Sequence, residues 1–403
     1  MKAPDLAPAP ARRALAGVSN VASLDDAAVL DRYARTVWSA VAEPGDGVAG
    51  RLVAALGPVD ALASATGAAP SARHGLSGGE LDEGRKRWSP RLASAGLGDG
   101  VRIAAASGIR LVVPDDPEWP EQLDDLGPHA PFCLWVRGDV ATLARLRPSV
   151  AIVGARASTS YGDHVAMELA ADLAGSGIPI VSGAAYGIDG AAHRAALTVG
   201  GTTVALLAGG ADRAYPAGHS GLIDRIARDG AVVSEVPCGS MPTKWRFLQR
   251  NRLIAALADA TVVVEAGWRS GSLNTAGHAL ELSRALGAVP GPITSAASAG
   301  SHKLFRDYGA QCITSGDDVR EMLGLNTRAP QPSQRDGRPP TDAATRVRDA
   351  LSTRAWRDAS DLARLSGMAR DEVEAILGVL HLDDEVEHGP SGWRSVGGRR
   401  AGR

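Results

Sequence analysis

Between residues 149 and 324 the chain repeats one pattern. A short apolar run ends in a small residue, and a helix-length segment follows. The runs cover 150–153, 178–181, 203–207, 231–233, 261–264, 287–289 and 311–313. Apolar runs without polar alternation suit strands covered on both faces. Alternating strands and helices imply an α/β fold with a parallel, doubly wound sheet and right-handed crossovers. Ligands of such sheets bind beyond the carboxyl ends of the strands. The loops that follow the runs are therefore where a function is expected.

The flanks read differently. Residues 1–22 are rich in Ala and Pro and are expected to form a loose, disordered tail. Residues 23–110 form an N-terminal helical domain, with Tyr33, Val37 and Val41 at helical spacing. Its turn Pro44-Gly45-Asp46-Gly47, between two short helices, suggests a helix-hairpin-helix-like unit. The acids Glu43 and Asp46 at that turn weigh against its gripping DNA. The α/β core occupies 111–324. Residues 325–341 hold four prolines and read as a linker. In 342–397, three short helices and a hairpin give the outline of a winged helix.

Composition limits the rest. With 43 basic and 45 acidic residues, net charge −2, any site for a polyanion must be local. Cys133, Cys238 and Cys312 lie far apart, which excludes a zinc ribbon and argues against a disulfide framework. The first residues lack the apolar core of a signal peptide, and no run approaches the ~18 apolar residues of a membrane span. A reduced, cytoplasmic protein is expected, with no membrane partner.

The first run enters Gly154-Ala155-Arg156-Ala157-Ser158-Thr159-Ser160-Tyr161-Gly162. A dinucleotide fold wants GxGxxG, whose second glycine lets the backbone approach a pyrophosphate. Arg156 stands there instead. It fills cofactor space and offers a guanidinium to an anion. The second and third runs end in permissive turns, Ser182-Gly183-Ala184-Ala185-Tyr186-Gly187-Ile188-Asp189 and Ala208-Gly209-Gly210. Asp189 can cap the next helix, and His193 reads as a packed histidine rather than a catalyst. The segment 241–257, MPTKWRFLQRNRLIAAL, carries Lys244, Arg246, Arg250 and Arg252 with no acid. Trp245 and Phe247 are interleaved, a pattern suited to single-stranded nucleic acid. After the fifth run, Ser270-Gly271-Ser272 opens a helix and is anion-receptive. There is no Walker A, HExxH or GxSxG motif, and nothing nominates a nucleophile.

The stretches VAIVGARASTSYG, SGAAYGIDGAAH, RFLQRNRLIAALADATVVVEAGWRSGSLNTAGHALE and GSHKLFRDYGA resemble the DNA-processing protein A family (DprA, also called Smf). LVVPDDPEWPEQLDDL and PFCLWVRGD look like that family's approach to its core. The resemblance is strong over about 111–323 and weak in the flanks. It implies an extended Rossmann fold used without a cofactor, and a non-catalytic protein. Family members bind single-stranded DNA and load RecA recombinase onto it in natural transformation, during competence. They commonly dimerise through the Rossmann core. By residue match, Arg156 should contact phosphate, Lys244 and Arg250 should line the pocket, and Phe247 should meet a base. Asn251, Arg252, Ser270, Gly271 and Ser272 complete the matched elements, and Gly154, Gly183 and Gly209 join them as DNA-binding turn glycines.

Two departures are visible. Tyr186 stands where the family often has a basic residue, and the late turn is Pro290-Gly291-Pro292. The alternative function is a nucleoside-monophosphate hydrolase of the lonely-guy type, whose PGGxGTxxE motif supplies a carboxylate. Here the next acid after Ser270-Gly271-Ser272 is Glu281. A third reading is a vestigial nucleotide sensor. Within 342–397 seven bases face eleven acids, which favours a protein-contacting or dimer-supporting role for that unit over duplex DNA binding.

Overall fold

The computed structural model describes residues 6–67, 75–92, 97–325 and 342–396. Contacts divide the chain into two units, Met1–Asn326 and Thr327–Arg403. Except for Leu325, the expected linker lies outside the described residues.

Six helices precede the sheet: α1 (Pro8–Leu15), α2 (Asp26–Val41), α3 (Gly47–Leu56), α4 (Pro58–Thr66), α5 (Gly78–Leu92) and α6 (Leu97–Ala106). The nine strands are β1 (Arg110–Val112), β2 (Leu134–Gly138), β3 (Val150–Val153), β4 (Ile180–Ser182), β5 (Thr203–Leu207), β6 (Ala231–Ser234), β7 (Ala260–Val263), β8 (Ala285–Ala288) and β9 (Gln311–Cys312). They lie in the order β1-β2-β6-β5-β4-β3-β7-β8-β9. From β6 to β9 every neighbouring pair is parallel. These seven strands match the apolar runs to within two residues. The antiparallel strands β1, at the sheet edge, and β2, between β1 and β6, were not expected. They are short and sit either side of a proline-bearing segment.

The helices between strands are α7 (Ser160–Gly175), α8 (Ile188–Thr198), α9 (Ser220–Asp229), α10 (Lys244–Leu257), α11 (Ser272–Glu281) and α12 (Ala299–Tyr308), and α13 (Gly316–Met322) follows β9. Side chains alternate across the strands. Val150 and Ile152 of β3 pack with Leu169 and Leu173 of α7. Ala151 and Val153 pack with Leu253, Ile254 and Leu257 of α10. The sheet is thus the middle of three layers, as strands apolar on both faces require.

The N-terminal segment corrects the expectation of a loose tail. Residues 8–15 are helical, with Pro8 in the first turn, where its missing N–H costs nothing. Ala11, Leu15 and Val18 are fully buried against Val101, Ala104 and Trp135. Arg12 donates to the carbonyls of Val21 and Leu24 and pairs with Asp26. The 44–47 turn does lie between two helices, but it faces the core of the protein. Asp46 caps α3 and accepts from Trp88 Nε1 at 3.0 Å. A side chain at Gly45 would strike Gln249 of α10, and one at Gly50 would strike the Pro128 carbonyl. A turn packed this way is not free to grip a DNA backbone.

The second unit holds α14 (Ala343–Ala350), α15 (Ala359–Ser366), α16 (Arg370–Leu382) and the ribbon β10 (Val386–Gly389) with β11 (Gly392–Ser395). Val347, Leu362, Val373, Leu377 and Val386 form its core. Four of its arginines are already paired with its own acids, among them Arg348 with Glu385 and Arg394 with Glu387.

Among the described residues no single helix is long and apolar enough to cross a membrane. All three cysteines are free, and burial pushes the Cys133 and Cys238 thiols up to about 12.

His193 on α8 is fully buried. The Thr203 hydroxyl donates to the Ile180 carbonyl, so His193 Nδ1–H must donate to Thr203 Oγ1, 2.7 Å away. Nε2 is buried without a partner among the described residues. A second proton there would find no acceptor. Burial, helped by the charges of His219, Arg250 and Arg194, draws the pKa from 6.5 to about 3.

Two predictions follow from this packing. Leu15→Ala should lower the unfolding free energy by about 2–5 kcal/mol, read by urea denaturation; a loose tail would leave it unchanged. The unfolded chain protonates His193 near pH 6.5 while the folded chain resists until about pH 3. Stability from this group is therefore full above pH 6.5 and falls as pH drops, by up to ~1.4 kcal/mol per pH unit. His193→Gln should flatten that slope in urea titrations repeated across the window.

Candidate nucleic-acid interface

The chain leaves β3 toward β4 on one side of the sheet, and later returns to lay β7 on the other. The loops after β3 and β7 diverge at this point and leave a crevice. The observed cleft, about 870 Å³, lies here. It is lined by residues 153–157 after β3, 269–272 after β7, and the first three turns of α10.

At the head of α7 the anion position of a dinucleotide fold is already filled. The Glu265 carboxylate, just past β7, accepts from Thr159 N at 2.9 Å and Thr159 Oγ1 at 2.6 Å. A side chain at Gly162 would collide with it. The protein's own carboxylate thus takes the helix N-terminus. Arg156 projects past this point and is exposed. It has no carboxylate partner among the described residues, and its guanidinium carbon lies 4.7 Å from the Phe247 ring centroid.

Thr243 caps α10, accepting from Arg246 N. The first turn is Lys244-Trp245-Arg246-Phe247, with no acid. Cations there oppose the helix dipole, an arrangement an external anion would relieve. Lys244 is exposed and lines the cleft. Phe247 packs its ring against Tyr215 at 5.4 Å, and Tyr215 remains 46% exposed.

Arg250 lines the cleft, but the guanidinium groups of Arg246, Arg250 and Arg252 are all bonded within the protein, so none of the three is the freely exposed cation its charge suggests. Arg250 is only 6% exposed. Its Nη1 donates to the Gly183 carbonyl at 2.8 Å and to the Leu206 carbonyl. Burial draws its pKa down to about 10, against the pull of Asp189 and with the push of Arg156. It stays protonated at neutral pH and forms the floor of the cleft, 5.9 Å from the Phe247 centroid, rather than a free phosphate ligand. Burial likewise raises the Asp189 pKa, opposed by Arg250 and by backbone N–H groups of Ala185, Gly183 and Gly154. Arg252 is buried in a two-bond pair with Glu235 at 2.5 and 2.7 Å, outside the cleft lining. Arg246 makes two bonds to Glu43 of the N-terminal helices at 3.0 and 3.1 Å. Although burial pushes the Glu43 pKa up, Arg246 and Arg91 hold it below the usual carboxylate value.

Asn251 lines the cleft and donates to the Gly271 carbonyl at 3.2 Å, tying α10 to the start of α11. Ser270, Gly271 and Ser272 are all cleft-lining, with the two serine hydroxyls 2.7 Å apart. The three glycines act as spacers. A side chain at Gly154 would meet Ile188 at 2.6 Å, at Gly183 the Arg250 guanidinium, and at Gly209 the 240–242 backbone. Gly183 and Gly209 do not line the cleft. Tyr186 instead packs edge-on against His219, 4.7 Å between centroids.

Two cleft residues escaped the sequence reading. Tyr215 lay in a turn with no charge pattern around it. Arg269, exposed and without a carboxylate partner among the described residues, was visible in GWRSGS as a cation before a helix start. No group of His, Cys, Asp and Glu suited to a metal ion occurs among the described residues.

Residues 110–324 match the family DNA recombination-mediator protein A. A Mycobacterium tuberculosis protein carrying the name DNA processing protein DprA is 43% identical over 372 residues, covering 88% of this chain and 92% of its own length. The DNA processing protein DprA of Bacillus subtilis is 38% identical over 234 residues, covering 58% of this chain and 75% of its own. The X-ray structure of DNA processing protein A from Streptococcus pneumoniae superposes with a TM-score of 0.57 at 30% identity, covering 72% of this chain and 97% of that one. The chain belongs to the DNA recombination-mediator protein A family.

Proposed function

We propose that the chain binds single-stranded DNA across the cleft and serves as a non-catalytic mediator of recombination. The observation that carries this reading is the set of exposed cations without carboxylate partners, Arg156, Lys244 and Arg269, around the Phe247–Tyr215 ring pair. Cations of this kind hold phosphates whatever the sequence, and rings stack on any base. The loading of RecA in natural transformation, a cytoplasmic site of action and dimerisation through the sheet-bearing unit belong to the same proposal. The acidic second unit is assigned to protein contact, since its third helix pairs Arg370 with Glu374 and leaves little charge for phosphate.

A hydrolase would need a free carboxylate near the start of α11. Glu281 ends that helix and bonds to His278 instead. Asp189 lines the cleft but accepts from Gly183 N and Ala185 N beside buried Arg250. Incubation with nucleoside monophosphates should release no free base; release at enzymatic rates would favour the hydrolase.

Arg156→Ala and Lys244→Ala should each weaken binding of an oligothymidine and reduce the slope of log K against log salt by about 0.7. Phe247→Ala should cost about 1–3 kcal/mol of binding with the slope unchanged. A slope change as large as that of the cation variants would contradict this division. Arg252→Ala should act on folding, lowering stability by about 3–5 kcal/mol because Glu235 is left buried and unpaired.

A further inference from the structure

Beyond the cleft, the loop after β7 makes a tight turn: Ser270 N donates to the Gly267 carbonyl at 3.0 Å. Trp268 and Arg269 are its two central residues, so both side chains stand out from the tip. Arg269 lines the cleft; Trp268 does not, and is 57% exposed. The indole at the tip therefore presents a face to solvent, where a base could reach it.

The turn is fixed from below. Ala266 N donates to the Ala297 carbonyl at 2.9 Å, and Gly300 N donates to the Ala266 carbonyl at 2.6 Å. A side chain at Gly300 would collide with Ala266. The first turn of α12 is therefore locked against the loop, and its Lys303 reaches Trp268. The ammonium lies 5.6 Å from the Trp268 ring centroid and 5.7 Å from the Tyr308 centroid. Asp307, four residues on from Lys303 in α12, is already bonded to Arg306 at 2.8 Å. An exposed indole, a cation beside it and a cleft cation one residue away repeat the chemistry of the Phe247 site.

We propose that Trp268, braced by Lys303, is a second stacking station for single-stranded nucleic acid. It carries the strand out of the cleft past Arg269 toward the start of α12. The inference rests on the single-stranded DNA reading of the cleft and extends it: the bound segment is longer than the cleft, and the second base is held by stacking.

The test uses the full chain and oligothymidines of about 4 and about 16 nucleotides, which bracket common single-strand site sizes. Trp268→Ala should weaken the long oligomer roughly 5- to 150-fold and the short one little, with the salt slope unchanged. Trp268→Phe should restore most of the loss. Lys303→Ala should reduce the slope by about 0.7 for the long oligomer alone. Because Trp268 is exposed, the melting temperature of Trp268→Ala should match that of the unmodified chain. If Trp268→Ala binds both lengths normally while Arg156→Ala is weakened, the second station is overturned and the cleft stands. If the unmodified chain binds neither length, the cleft reading and this inference fall together.

Discussion

The buried guanidinium of Arg250 fixes what the cleft can present. It donates to the carbonyl of Leu206 in β5 and to that of Gly183 just past β4. It thereby ties α10 to two neighbouring strand ends. A charge with so little contact with water is tolerated because its N–H groups find acceptors and because Asp189 shares the site. Everything on the first three turns of α10 takes its position from this tie, from the Arg252–Glu235 pair and from the apolar face Leu253, Ile254 and Leu257. Phe247 is thus held over the cleft between one exposed guanidinium, Arg156, and one buried guanidinium, Arg250.

The second constraint is Glu265. A parallel sheet of this type offers the N-terminus of the helix after its first parallel strand to a pyrophosphate. Here the chain's own carboxylate occupies that place through Thr159. The loop is left with Arg156 lining the cleft. A dinucleotide loses its usual seat, while a chain of phosphates can still lie across the exposed cations. The N-terminal helices take part as well. Glu43 neutralises Arg246, so the acid-free basic segment 241–257 reaches the cleft with Lys244 as its exposed cation.

Much of this was legible before the structure. The apolar runs located the parallel strands, and the strand ends located the cleft, because both follow from backbone pairing and from the switch of strand order. What stayed hidden was which charges are exposed. Arg250 lies three, four and seven residues before Leu253, Ile254 and Leu257, the spacing of one helical face, and that spacing places it inside. Charge counting overrode that signal. The partners of Arg246 and Arg252 could not be read locally, since Glu43 is 203 residues away in sequence from Arg246. The Ala/Pro composition of residues 8–15 points to a tail, although Ala11, Leu15 and Val18 repeat at a helical interval behind an early proline. The antiparallel strands β1 and β2 lie outside the regular strand–helix alternation that revealed the other seven.

On the proposed reading, one strand of nucleic acid, with its bases accessible to rings, settles on exposed cations at the carboxyl edge of the sheet. The most direct test is a paired titration of one oligonucleotide, single-stranded and annealed to its complement, at two salt concentrations. The single strand should bind more tightly at both, with affinity falling as salt rises. Equal or tighter binding of the duplex, or a single-strand affinity indifferent to salt, would contradict it.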